Sequence, residues 1–138
     1  MLQENDVVEA ISMDLLSKGY AILRVPASKS RDVDLIAQEP GPGARVFISV
    51  AGEALSRVGR GRLQEEHSES QLFRSITKSV HGAMRIRGAK KFRKGDRIVL
   101  AFPDVPGFRK YVVTAKPVLD SLGIKVFLVN ERKEVHVL

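Results

Sequence analysis

Two short apolar stretches joined by a Pro/Gly turn constrain this chain more than anything else in it. Asp32 to Gln38 alternates, with Val33, Leu35 and Ala37 on one side and Asp32, Asp34 and Ile36 on the other, the two-residue period of a strand. Pro40-Gly41-Pro42-Gly43 is a strong turn signal. Arg45 to Ala51, with Val46-Phe47-Ile48 at its centre, then reads as a strand paired antiparallel to the first. Residues so apolar on both sides of a strand require cover on both faces of the sheet.

The remaining elements supply that cover. Residues 4–19 carry Val7, Val8, Ile11, Leu15 and Leu16 at helical spacing, ended by Gly19. Tyr20 to Val25 is a short strand closed by Pro26. Residues 52–67 have no clean period and contain Arg57-Val58-Gly59-Arg60-Gly61-Arg62, read as a flexible basic loop. A long helix spans Ser68 to Arg87, with Ser68 or Ser70 as its cap. After a basic turn at Lys90 to Gly95, a buried strand runs from Arg97 to Phe102. A second long helix follows from Phe108 to Leu122, stopped by Gly123, then strands from Ile124 to Val129 and from Glu134 to Leu138 at an edge. The expected fold is α/β: a single domain over residues 1–138, with a central mixed sheet flanked by helices in αβββαβαβ order.

Charge is unevenly spread. The 138 residues carry a net +7. Residues 57–97 hold 12 Lys/Arg against 4 Asp/Glu, while residues 1–56 hold 5 against 8. Such clustering suits a polyanion, because Lys and Arg beside phosphates release condensed counterions. No apolar run is long enough to cross a bilayer, so no membrane partner is expected. The N-terminal residues lack a signal-peptide layout. With no cysteine in the chain, the expected location is cytoplasmic.

Asp34-Leu35-Ile36-Ala37, followed by the turn and Val46-Phe47-Ile48-Ser49-Val50-Ala51-Gly52, resembles the core of the PD-(D/E)xK nuclease superfamily, the restriction-endonuclease-like and Holliday-junction-resolvase-like fold. Ala101-Phe102-Pro103-Asp104-Val105-Pro106 and Leu122-Gly123-Ile124-Lys125-Val126 are similar to the C-terminal half of its small bacterial members. The resemblance implies Asp34 as a metal-binding carboxylate and Glu9 as the acidic residue of the opening helix. It also implies a Glu and a Lys on the second strand, yet Ser49 and Ala51 stand there. The motif is therefore degenerate. Migrated groups offer an alternative site of Glu9, Asp34, Glu53 and Lys29 around Mg²⁺. Against it, Asp34 and Glu9 are equally readable as solvent-facing acids, and Lys29 and Glu53 as ordinary surface charges.

On the Ser68–Arg87 helix, Arg74, Lys78, His81 and Arg85 fall on one stripe. Leu72, Ile76, Val80 and Ala83 fall on another, assigned to the core. With Arg57, Arg60 and Arg62 before the helix and Lys90, Lys91, Arg93 and Lys94 after it, they form the candidate DNA-binding set. Aromatic residues make up 6% of the chain, too few for an extended base-stacking platform, so double-stranded or branched DNA is the expected partner. The leading expectation is a DNA-binding pseudo-nuclease that needs no cofactor. The alternatives are an active Mg²⁺-dependent endonuclease, or an interaction module whose basic face meets an acidic protein. The resemblance also implies a homodimer.

Overall fold

The computed structural model describes residues 2–24, 33–41, 43–51, 54–58, 62–66 and 69–138. Helix α1 (Glu4–Ser17) is followed by strands β1 (Ala21–Arg24), β2 (Leu35–Gln38) and β3 (Arg45–Val50). A hairpin of β4 (Ala54–Val58) and β5 (Arg62–Glu66) precedes helix α2 (Glu69–Gly88). Strand β6 (Arg97–Pro103), helix α3 (Pro106–Ser121), strand β7 (Ile124–Val129) and strand β8 (Val135–Val137) complete the chain. Six strands make one mixed sheet in the order β1-β2-β3-β6-β7-β8.

Connectivity dictates where the helices go. The β1–β2–β3 ladders are antiparallel and need only short connections, whereas β3, β6 and β7 are parallel and need crossovers. Both crossovers step the same way along the sheet. A constant handedness therefore puts α2 and α3 on the same face, side by side and parallel to each other. Gly107, in the first turn of α3, lies against Leu72 of α2; a β-carbon there would collide with Leu72 Cδ1. Helix α1 covers the opposite face. Its stop is set at Gly19, which takes a φ of +86° that costs glycine no Cβ clash.

Alternation along β3 divides the interior into two cores. Phe47 and Ala51 pack with Leu72, Ile76, Leu100, Phe102, Phe108 and Val112 under α2 and α3. Val46, Ile48 and Val50 pack with Val7, Ile11, Leu35 and Val99 under α1. The α/β class and the helix-flanked mixed sheet expected from the sequence are thus present.

Three expectations change. Residues 52–67, read as a basic loop, contain the β4–β5 hairpin, whose register pairs Arg57 with Leu63 and Val58 with Arg62. The hairpin forms a separate two-stranded sheet held by its own antiparallel ladder. The second strand begins at Leu35 rather than Asp32, and Asp34 lies just outside the ladder. Finally, α3 begins at Pro106, where a missing N–H costs nothing.

Candidate nucleic-acid interface and the Asp34 corner

Asp34 sits where β2 leaves the sheet. Its own N–H donates to the Ile48 carbonyl at 2.8 Å. The Val50 N–H donates to Asp34 Oδ2 at 2.7 Å, so a carboxylate replaces the backbone carbonyl that would have continued the ladder. Extending the β2–β3 register by one residue sets Asp34 opposite Ser49, a buried residue. Ala51 is core, and its N–H donates to the Ala101 carbonyl at 2.9 Å.

Burial pushes the Asp34 carboxyl above its ordinary value, against the opposing pull of the Val50 N–H and the Lys78 ammonium. Glu4, in the first turn of α1, is also pushed up, first by burial and then by the negative charge of Asp34, with Lys78 again opposing. The corner therefore brings together one residue from α1, one from α2 and the residue that precedes β2. The half-buried Asp34 and the exposed Glu4 repel each other, and the charge of Lys78 acts on both.

Glu9, the residue expected to join Asp34, does not. Its Oε2 lies 3.2 Å from Lys133 Nζ, in an exposed pair. The reason is helical geometry: five residues at ~100° each turn the side chain ~140° away from that of Glu4. The sequence contains Glu4 as plainly as Glu9, but only the packing of α1 across the sheet distinguishes them. Lys78 was legible as a basic-stripe residue, and its second role beside two carboxyls was not. Lys29, Glu53 and Arg60 lie outside the described residues.

Of the acids that could hold the Mg²⁺ implied by the nuclease resemblance, the described residues bring Asp34 and Glu4 to this corner. No three of His, Asp and Glu gather at one point among the described residues. Of the two carboxyls at the corner, one has an oxygen committed to the Val50 N–H, and the positive charge of Lys78 acts on both. A hard cation needs oxygens free to coordinate it.

The basic elements sit differently. Arg74, Lys78, His81 and Arg85 are all exposed along one side of α2, while Leu72, Ile76 and Ala83 are buried and Val80 is half-buried beneath. Lys90, Lys91, Arg93 and Lys94 are exposed in the loop from α2 to β6. That loop is pinned from below. Arg45 donates from Nη2 to the Lys91 carbonyl at 2.6 Å and to Asp96 Oδ2 at 2.7 Å, and the Arg93 N–H donates to Asp96 Oδ2 at 2.8 Å. Burial alone would raise the Asp96 carboxyl, but the bonds from Arg45 and Arg93 outweigh it and hold the group below the usual range. A shallow cleft of about 550 Å³ opens beside the loop, lined by Leu23, Gln38, Arg45, Arg93, Lys94 and Asp96 among others.

Comparison with protein families, curated proteins and solved structures finds no match to this chain.

Proposed function

We propose that the protein binds double-stranded or branched DNA through phosphate contacts made by α2 and the loop that follows it. The reading rests on one observation: Arg74, Lys78, His81 and Arg85 share an exposed helical side that continues into the exposed Lys90–Lys94 loop. Spacing of this kind lets forked guanidinium groups follow a phosphate backbone without reading bases. The Arg45–Asp96 staple supports it, because a pinned loop presents its cations without paying further ordering entropy on binding. On this reading the nuclease-like core is a scaffold. Ser49 and Ala51 leave the second strand without the usual Glu and Lys, and the Asp34 corner holds an aspartate that caps β3.

The test is fluorescence anisotropy with a labelled duplex and a four-way junction over a range of salt. Phosphate binding gives a log–log salt slope that grows with the number of contacts. The combined Arg74→Ala, Lys78→Ala and Arg85→Ala variant should flatten that slope by about 2–3. A slope unchanged in the variant, or no binding at low salt, overturns the reading. Cleavage of the same substrates with Mg²⁺ or Mn²⁺, lost in Asp34→Ala, would make the protein an endonuclease instead.

A further inference from the structure

The other side of α2 has a different character. Phe73, Thr77, Val80 and Met84 follow each other at i, i+4, i+7 and i+11 along the edge that faces α3. Tyr111, Ala115, Val118 and Leu122 repeat the same spacing on α3. The two rows meet at both ends: the Phe73 and Tyr111 rings are 6.4 Å apart, edge to face, and Arg87 Nη1 donates to the Leu122 carbonyl at 2.7 Å. Yet the seam is not closed from above. Phe73 is 59% exposed, Met84 57%, Val118 62% and Leu122 42%. A row of large apolar side chains in water along two adjacent helices marks a surface built for contact.

Charge decides what kind of contact. The rim on α2 is Arg74, His81 and Arg85, and Lys110 stands on the α3 side with its ammonium 5.9 Å from the Tyr111 ring. Between Phe73 and Met84 the sequence of α2 holds no Asp or Glu, Glu69 standing at the first residue of the helix, and on α3 Asp120 is held by Lys116 at 2.6 Å. A second copy of this chain laid two-fold on the seam would set these cations against their own counterparts. An occupant with carboxylates beside an apolar stripe meets no such repulsion. From Phe73 to Met84 the seam runs about 16 Å, the length of three helical turns.

We propose that the α2–α3 seam docks an amphipathic helix of a partner protein that carries acidic residues along its flank. Its apolar side chains lie between Phe73, Met84, Val118 and Leu122, and its carboxylates face Arg74, His81 and Arg85. This goes beyond DNA binding and does not depend on it, although the shared Arg74 and Arg85 make an acidic helix and a DNA backbone compete.

The probe is a labelled synthetic helix with Leu at i, i+4, i+7 and i+11 and Glu on both flanks, alongside a twin with Lys for every Glu. Both are titrated into the full chain by anisotropy and amide-resonance mapping. The Glu helix should bind at least about tenfold tighter than the Lys twin, with perturbations centred on residues 73–84 and 111–122. The double variant Phe73→Ser with Val118→Ser replaces exposed side chains, so its circular dichroism should match the parent. It should weaken the Glu helix by about tenfold or more while leaving duplex affinity unchanged. Perturbations centred elsewhere, equal affinity for the twins, undiminished binding by the double variant or no binding each overturn the proposal. A dimer in sedimentation that is lost in the double variant overturns it too, in favour of a second copy.

Discussion

Asp34 and Asp96 are of the same residue type, each accepting a backbone N–H at nearly the same distance, and they are driven in opposite directions. Asp96 closes a staple: its side chain is 6% exposed and it meets the Arg45 guanidinium at 2.7 Å together with the N–H groups of Arg93 and Arg45. Asp34 has one N–H, a like-charged neighbour in Glu4, and Lys78 acting on it without any bond between them among the contacts described. Donors aimed at a carboxylate outweigh burial when there are several, and lose to it when there is one. The Asp96 corner has its charge balanced for stability. The Asp34 corner keeps an imbalance, the state in which a group most readily responds to pH or to a bound ion.

The largest effect that separates them is on stability. Asp96→Ala removes the carboxylate that accepts from the Arg45 guanidinium and the Arg93 N–H and leaves the Lys90–Lys94 loop tied by the Arg45 bond to the Lys91 carbonyl, so it should cost about 2–3 kcal/mol in urea unfolding. It should also weaken duplex binding if the pinned loop is part of the interface. Asp34→Asn should do the reverse at neutral pH. It keeps an acceptor for Val50 N–H and removes the repulsion from Glu4. The gain should stay below about 1 kcal/mol, because the corner is only half-buried and solvent screens it.

pH sharpens the contrast. A carboxyl raised in the folded state is one the folded protein prefers protonated, so Asp34 and Glu4 cost stability as pH rises above the ordinary carboxylate range, and that cost disappears in acid. The lowered Asp96 and Asp104 contribute stability above the ordinary aspartate range and lose it as pH falls through their depressed values. Unfolding of Asp34→Asn across pH 3–7 should therefore show its advantage over the parent shrinking towards acid.

Lys78→Met should push both corner carboxyls further up, seen as later titration of the Asp34 and Glu4 carboxyl resonances. The smallest effect is expected from Glu9→Gln. An exposed pair with Lys133 is worth about 0–1 kcal/mol, and its removal should leave the Asp34 titration where it was, whereas Glu4→Gln should bring it down. A shift from Glu9→Gln would restore Glu9 to the corner and refute the assignment of Glu4.

The elements that were legible in the sequence share one property: their pattern is local. The strands at residues 45–50 and 124–129 and the split of α2 into a buried row under Leu72, Ile76 and Ala83 and a basic side at Arg74, Lys78 and His81 follow from period and composition. So do the helix stops at Gly19 and Gly123, both with positive φ. The β4–β5 hairpin escaped because residues 52–67 show no clean period, and its strands pair with each other in a separate two-stranded sheet. The continuation of α3 through Pro117 was read correctly although an interior proline removes a bond and costs roughly 3 kcal/mol. Its apolar row, with Phe108, Val112 and Leu119 buried, is strong enough to carry the helix past it.

The sequence by itself therefore determined the class of fold, the two-sided core and the segment that holds the positive charge, because each depends on residues within a few positions of one another. Only the tertiary structure decided that Glu4 rather than Glu9 feels the charge of Asp34, that Lys78 acts on both, and that α2 and α3 leave an apolar seam between them. Those interactions join residues 30 or more positions apart. They depend on the rotation of each helix about its axis, and that rotation is set by packing against a sheet no single segment contains.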